Sequence, residues 1–387
     1  MPAATSADSN PLLRLPALGQ SIWLDFIRRR MLDDGELAQL IAEDGIRGVT
    51  SNPAIFEKAI ASGDEYSAQL VEVAPLAGGD PKRIFEALAI EDIRRAADTL
   101  AGVYRDTAGV DGYVSLEVAP DLARDAEGTV AEARRLWQQV DRPNLMIKVP
   151  GTHECLPAIR TLLAEGIHVN ITLLFARQAY AAVAEAWLEA LEDRLERGLP
   201  PGGVASVASF FVSRIDTLVD RHLEERMAAA RDEEVRGRAA ALRGRIAIDN
   251  ARLAYEHFRG LMASPRWRRL AAAGARPQRL LWASTSSKNP DFRDTLYVEE
   301  LIGPQTVNTA PPETIAAFRD HGVATETLTS GIEAARQRMR ELEVLGISLD
   351  GLTDELLDEG IRKFVEPWEK LLDTVAARSR QLAELRG

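Results

Sequence analysis

Short apolar runs and longer segments of helical period alternate eight times along this chain, and that alternation leaves few folds open to it. The apolar runs are Ser21–Phe26, Gly48–Ser51, Tyr113–Val118 and Asn144–Val149, then Ile167–Leu173, Val204–Phe211, Arg279–Ser284 and Gln305–Thr309. Most are apolar almost without interruption, as expected of parallel strands covered on both faces. Helical patterns separate them, among them Asp34–Glu43, Pro81–Tyr104, Thr129–Gln139, Pro157–Glu165, Arg177–Arg197 and Ser213–Arg231. Repetition of this kind predicts an α/β fold, a closed (β/α)8 TIM barrel forming a single domain over residues 1–387. An open, doubly wound sheet is the runner-up, weakened because no glycine-rich phosphate fingerprint follows the first strand.

Three segments exceed a minimal barrel. Residues 1–20 read as a loose polar arm, and residues 224–277 as an Arg- and Ala-rich helical insertion between strands six and seven. Residues 312–387 are helical and include the amphipathic Glu355–Leu382, with Trp368 among its apolar positions. Packing, oligomer contact and a cover over one barrel end are all open readings of these additions. No solenoid-period repeat and no low-complexity tract is present.

Charge narrows the partners. With 47 Lys+Arg against 59 Asp+Glu, the net charge is −12. That balance excludes a chain whose main work is neutralising nucleic-acid phosphates or binding anionic lipid. The start lacks the layout of a secretory signal, and no apolar run reaches the ~18 residues of a membrane span. Cys155 is the only cysteine, so no intrachain disulfide can form, which fits a reducing cytoplasm. A cytoplasmic location is the expectation.

The chemistry is carried by polar residues that interrupt the strands near their C-terminal ends. Asp25 follows Ile-Trp-Leu, Asn52 follows Gly-Val-Thr-Ser, Glu117 follows Val-Ser-Leu, Lys148 follows Leu-Met-Ile, and Asn170 follows Ile-His-Val. In a parallel barrel these ends open on one face, where loops build the active site. Taken singly, each has a plain alternative: Lys148 pairing with Glu117, the carboxylates capping helices, Asn52 starting one before Pro53. Taken together they are harder to dismiss, because charged groups in an apolar barrel carry a desolvation penalty unless paired. A free lysine has pKa ~10.4 and is less than ~0.1% neutral at pH 7. Apolar neighbours such as Leu145, Met146, Ile147 and Val149 disfavour the charged form, and a pKa of ~7–8 would leave about 10–50% neutral amine. Such an amine condenses with a ketone to a Schiff base, with carboxylates to move the protons.

Later strand ends offer anion donors: Ser209 and Arg214 after strand six, and Ser284, Ser286, Ser287 and Lys288 after strand seven. Barrel enzymes often hold phosphate at the loops after strands seven and eight. Metal chemistry has less support, because His153, His168, His222, His257 and His321 show no ligand spacing. An Asp25–Glu117 magnesium site stays open on composition alone. His168 reads as packed or hydrogen-bonded.

Eight motifs in order carry a family likeness: IWLDFIRR (Ile22–Arg29), GVTSNPAIFEKAI (Gly48–Ile60), YVSLEVAP (Tyr113–Pro120), LMIKVPGT (Leu145–Thr152), HVNITLLF (His168–Phe175), SFFVSRID (Ser209–Asp216), LWASTSSKNP (Leu281–Pro290) and TVNTAPPET (Thr306–Thr314). On these motifs the chain resembles the transaldolase family, in its longer bacterial subgroup, from about Ser21 to Trp368.

The resemblance implies a cofactor-free transferase of the pentose phosphate pathway. It would move a dihydroxyacetone unit from sedoheptulose 7-phosphate or fructose 6-phosphate to glyceraldehyde 3-phosphate or erythrose 4-phosphate. Lys148 matches the Schiff-base lysine. Glu117, through a water held with Thr172, matches the group that assists carbinolamine dehydration, and Asp25 matches the acid/base for the C4 hydroxyl. Asn52, Asn170 and Ser209 match positions that bind the three-carbon unit, and Arg214, Ser284 and Lys288 match the phosphate clamp. Shorter transaldolases carry an arginine soon after the serine matched by Ser284, where this chain has Thr285-Ser286-Ser287-Lys288. Phe211 stands where related fructose 6-phosphate aldolases carry tyrosine, which favours transferase over simple aldolase. A lyase that frees dihydroxyacetone and a non-catalytic sugar-phosphate-binding barrel are the alternatives. Sugar phosphates are the implied partners, and no metal is implied.

Overall fold

In the computed structural model, which describes residues 10–62 and 64–384, the first strand pairs with the last as well as the second. The strands are β1 (Gln20–Leu24), β2 (Gly48–Val49), β3 (Tyr113–Glu117), β4 (Leu145–Pro150), β5 (Val169–Leu174), β6 (Ser206–Phe211), β7 (Arg279–Ala283) and β8 (Thr306–Ala310). All are parallel and run in sequence order around a closed barrel. The Trp23↔Thr309 register closes the ring and rules out the open sheet.

Strand alternation sends every second side chain into the barrel interior. Within β1 that set is Ser21 and Trp23, and Asp25 follows it. Ser21 lines a cavity at the N-terminal mouth, and Asp25 lines one at the C-terminal mouth. Trp23, fully buried, fills the space between them and donates from Nε1 to Asp111 at 3.2 Å. Gly48 of β2 makes room for this indole: a Cβ there would sit 2.5 Å from the ring. Gly48→Ala is therefore expected to lower stability by about 1–3 kcal/mol through overpacking, read as a drop in the denaturant midpoint. An unchanged midpoint would show that the indole has room to shift.

Helices begin where the sequence supplies caps. Asp80 accepts from the backbone N–H of Lys82 and Arg83 ahead of Pro81–Asp106, and Asp125 accepts from Gly128 ahead of Ala126–Val140. The first helix starts where the sequence reading put it, at Pro81, and the second starts at Ala126, ahead of the Thr129 expected.

Of the additions, the N-terminal arm differs from its sequence reading. The loose arm expected over residues 1–20 is, from Asn10 onward, a packed element; residues 1–9 lie outside the described residues. Pro11–Leu18 forms a 3-10 helix capped by Asn10, with Leu12 and Leu15 buried. The insertion takes the packing reading. Its Glu224–Ala229 portion ends the Ser213–Ala229 helix, and Ile246–Met262 packs on Arg177–Glu196 and is buried on most sides. Asn250 anchors it by donating to the Phe175 carbonyl at 2.8 Å.

At the C-terminus a single helix, Leu349–Glu384, packs on Pro53–Ser62, Ser67–Leu76, Pro81–Asp106 and the end of β5. It is packed, and its Lys363 and Phe364 reach the C-terminal mouth of the barrel. No helix among the described residues is long and apolar enough to cross a membrane.

Candidate active site

Strands β4, β5 and β6 and the segments just after β1, β2, β6 and β7 bring side chains to one cavity of about 260 Å3 at the C-terminal mouth. Asp25, Asn52, Lys148, Thr172, Ser209, Phe211, Arg214, Ser284 and Lys288 all line it. Ser286 lines it too, whereas Glu117, Asn170 and Ser287 do not; Glu117 contacts Lys148 and Asn170 bonds Ser209.

Lys148 and Glu117 are register partners on β4 and β3, which places both on the interior face at the same height. Lys148 Nζ lies 3.2 Å from Glu117 Oε2 and donates to the Ser51 carbonyl at 3.3 Å. Both side chains are more than nine-tenths buried. Burial pushes the Glu117 carboxyl up to about 7, with the neighbouring Asp25 charge adding to the rise and Lys148 opposing it. A carboxyl poised there both holds and releases a proton near neutrality.

Asp25 accepts from the Thr50 hydroxyl at 2.6 Å, and Thr50 in turn meets Thr309 at 2.7 Å. Three strands thus fix one carboxylate. Thr172 owes its aim to a bulge: β5 shifts register between Ile171 and Leu174, and Leu173 sits at φ 65°. Bulges next to active sites re-aim side chains in this way. The buried Thr172 hydroxyl, at the cavity wall, has no hydrogen-bond partner among the described residues, and Glu117 Oε2 has only the Lys148 ion pair.

Asn170, expected to contact substrate, is fully buried and spans two neighbours instead. It donates to Ser115 Oγ at 3.0 Å and accepts from Ser209 Oγ at 2.6 Å, so its visible task is to hold Ser209 at the wall. Asn52 combines the plain and functional readings. Its Oδ1 accepts from the Ile55 N–H at 3.1 Å, starting the Pro53–Ser62 helix, while its side chain still faces the cavity.

The far rim is cationic. The Arg214 guanidinium lies 5.5 Å from the Phe211 ring centroid, and burial pushes its pKa down, opposed by the Glu359 and Asp25 charges. Ser284 adopts φ 55°, a left-handed conformation costly for a residue with a Cβ, and its hydroxyl meets Ser213 at 3.0 Å. Lys288 donates to Ser286 Oγ at 2.7 Å, whereas Ser287 turns away to the Asn289 carbonyl. Cationic and hydroxyl groups at this rim suit a phosphate.

His168 is packed, as read. It accepts from the Ala205 N–H on Nδ1, contacts the Pro143 carbonyl through Nε2, and burial lowers its pKa to about 4. Among the described residues no three His, Cys, Asp or Glu side chains are grouped to hold a metal ion.

Sequence reasoning missed several wall residues. Thr50, Thr309 and Glu313 lie within motifs already quoted but were not singled out, whereas Lys363 and Phe364 come from the distant C-terminal helix. The Phe364 ring centroid is 5.5 Å from Lys148 Nζ. Apolar periodicity signalled a buried face on that helix and could not say against what.

Comparison with known proteins agrees with this geometry. Residues 22–375 match the family model described as Transaldolase/Fructose-6-phosphate aldolase. A Transaldolase of Thermobifida fusca is 51% identical over 368 residues, covering 95% of this chain and 98% of the relative. A Transaldolase of Trichodesmium erythraeum is 45% identical over 376 residues, with 97% and 99% coverage. One from Frankia alni is 49% identical over 369 residues, with 95% and 97% coverage. The chain belongs to the transaldolase/fructose-6-phosphate aldolase family of enzymes.

Proposed function

We propose that this chain is a transaldolase that transfers a dihydroxyacetone unit between sugar phosphates through a Schiff base on Lys148. The observation that carries the reading is the buried Lys148–Glu117 contact, with the Glu117 carboxyl titrating near 7 and Lys148 at the wall of a cavity that also holds Asp25.

Lys148 Nζ attacks the C2 carbonyl of a ketose phosphate, whose phosphate rests on Arg214, Ser284 and Lys288. Glu117, through a water that Thr172 would hold, delivers the proton with which the carbinolamine hydroxyl leaves as water. The protonated imine then withdraws electrons, Asp25 takes the C4 hydroxyl proton, and the C3–C4 bond breaks. The aldose phosphate departs while a three-carbon enamine stays on Lys148, hydrogen-bonded by Asn52 and Ser209. An incoming aldose phosphate reverses the steps. Cytoplasmic work in the non-oxidative pentose phosphate pathway, on sedoheptulose 7-phosphate or fructose 6-phosphate as donor, accords with this chemistry.

The test is a two-substrate assay. With fructose 6-phosphate as donor, three-carbon transfer to added erythrose 4-phosphate is expected, with free dihydroxyacetone a minor product. Dihydroxyacetone as the main product irrespective of acceptor would make the chain a lyase. Turnover should also persist in EDTA; its loss on chelation would point to a metal-dependent reaction.

Glu117 gives a pH prediction with a definite sign. Its folded pKa, about 7, lies above the ordinary 4.5, so the folded state binds this proton more tightly than the unfolded one. The contribution of Glu117 to stability is therefore full below pH 4.5 and is lost as pH rises through about 7. Glu117→Gln should abolish that component, flattening the melting temperature over this window relative to wild type. Imine formation should also decline above about pH 7 in the wild type only. Identical pH profiles for the two proteins would refute the assigned proton transfer.

A further inference from the structure

We propose that Phe364, on the C-terminal helix, is a positioning residue that keeps water from the Lys148 adduct and so sets the balance between transfer and hydrolysis. The proposal rests on the Schiff-base reading above and adds a specificity determinant to it.

Phe364 belongs to the C-terminal helix, not to any barrel strand or strand-end loop. It nevertheless lines the catalytic cavity, is 8% exposed, and holds its ring centroid 5.5 Å from Lys148 Nζ. The same ring, with Ile361, closes a second void of about 10 Å3 on the Glu117 side, walled also by Val118 and Leu173. A void of that size is close to the volume of one probe sphere, the least that a water needs. Trp368, one turn further on, closes a similar void on the opposite flank of Glu117 and meets Phe85 edge-on at 5.3 Å. The seating of this stretch is tight. Gly360 lies over the β5 bulge, where an added Cβ would stand 3.1 Å from the Leu173 side chain. One helical turn therefore roofs the amine, the carboxyl and the bulge together.

The chemistry gives the roof a task. After the aldose leaves, the enamine on Lys148 has two fates. Its nucleophilic carbon adds to an acceptor aldehyde, completing transfer. Alternatively, that carbon takes a proton from solvent, water adds to C2 of the resulting iminium, and the C–N bond breaks. The amine of Lys148 is regenerated and free dihydroxyacetone is released, with no net oxidation or reduction. Water addition to an iminium also ends the transfer branch, so the step peculiar to the second fate is protonation of the enamine carbon by solvent, and an apolar cover beside Nζ suppresses that step.

The experiment measures free dihydroxyacetone formed per three-carbon transfer, using fructose 6-phosphate with erythrose 4-phosphate. Borohydride trapping on Lys148 runs in parallel. F364A is expected to raise the ratio about tenfold or more while Lys148 still traps the three-carbon unit. F364L, which keeps the apolar bulk, should return the ratio to near the wild-type value. If F364A does not fold, F364V carries the same expectation at about threefold. An unchanged ratio in a variant that still traps on Lys148 overturns the proposal, as does F364L leaking as much as F364A. Failure of the wild type to trap on Lys148 overturns the underlying reading and the roof with it, so the two failures are told apart.

Discussion

Lys148→Ala is expected to reduce turnover on the order of 10^4-fold or more while leaving the fold intact. The lost group is the nucleophile, and no other amine has its place: Lys288 and Lys363 also line the cavity, but both are exposed at its rim. Stability should change little, because the partner left behind can neutralise itself. Glu117 already titrates near 7 through burial, opposed only by Lys148; without that amine it takes a proton instead of standing as a bare charge. A melting midpoint within about 5 °C of wild type is expected. Lys148→Met, which refills the side-chain volume, separates chemistry from packing. Turnover within tenfold of wild type in either variant would remove Lys148 from the reaction.

Asp25→Asn is expected to slow C3–C4 cleavage by about 10²–10⁴-fold while imine formation persists. The amide keeps one oxygen to accept from Thr50, which bonds the carboxylate at 2.6 Å, so the side chain stays in place and only its basicity is lost. Rapid quench with borohydride should then capture the whole, uncleaved ketose on Lys148, where wild type yields the three-carbon fragment. Wild-type cleavage in this variant would pass the proton transfer to another group.

How far the sequence revealed this site can be followed residue by residue. Lys148, Glu117 and Asp25 were legible because a charge in an apolar strand breaks a strong local pattern, and alternation then fixes which face it occupies. Their closeness followed from the barrel, since parallel strands bring every C-terminal end to one mouth. Local patterning stops there. The brace of Thr50 on Asp25 and Thr309 joins positions far apart in sequence through hydroxyls of ordinary strand residues. Asn170 was placed correctly on its strand, but whether it meets the cavity or Ser115 and Ser209 depends on packing depth. The left-handed backbone at Leu173 and Ser284 has no composition signal, because neither is a residue that favours it. Phe364 shows the limit most clearly: amphipathicity marks a face for burial, and only the path of the C-terminal helix decides that it roofs a lysine.

Mass-mapped reductive trapping tests the central claim most directly. Incubation with fructose 6-phosphate and sodium borohydride should leave one reduced three-carbon adduct, on the tryptic peptide bearing Lys148 and nowhere else. An adduct at a different lysine, or none under conditions of full turnover, would contradict the account.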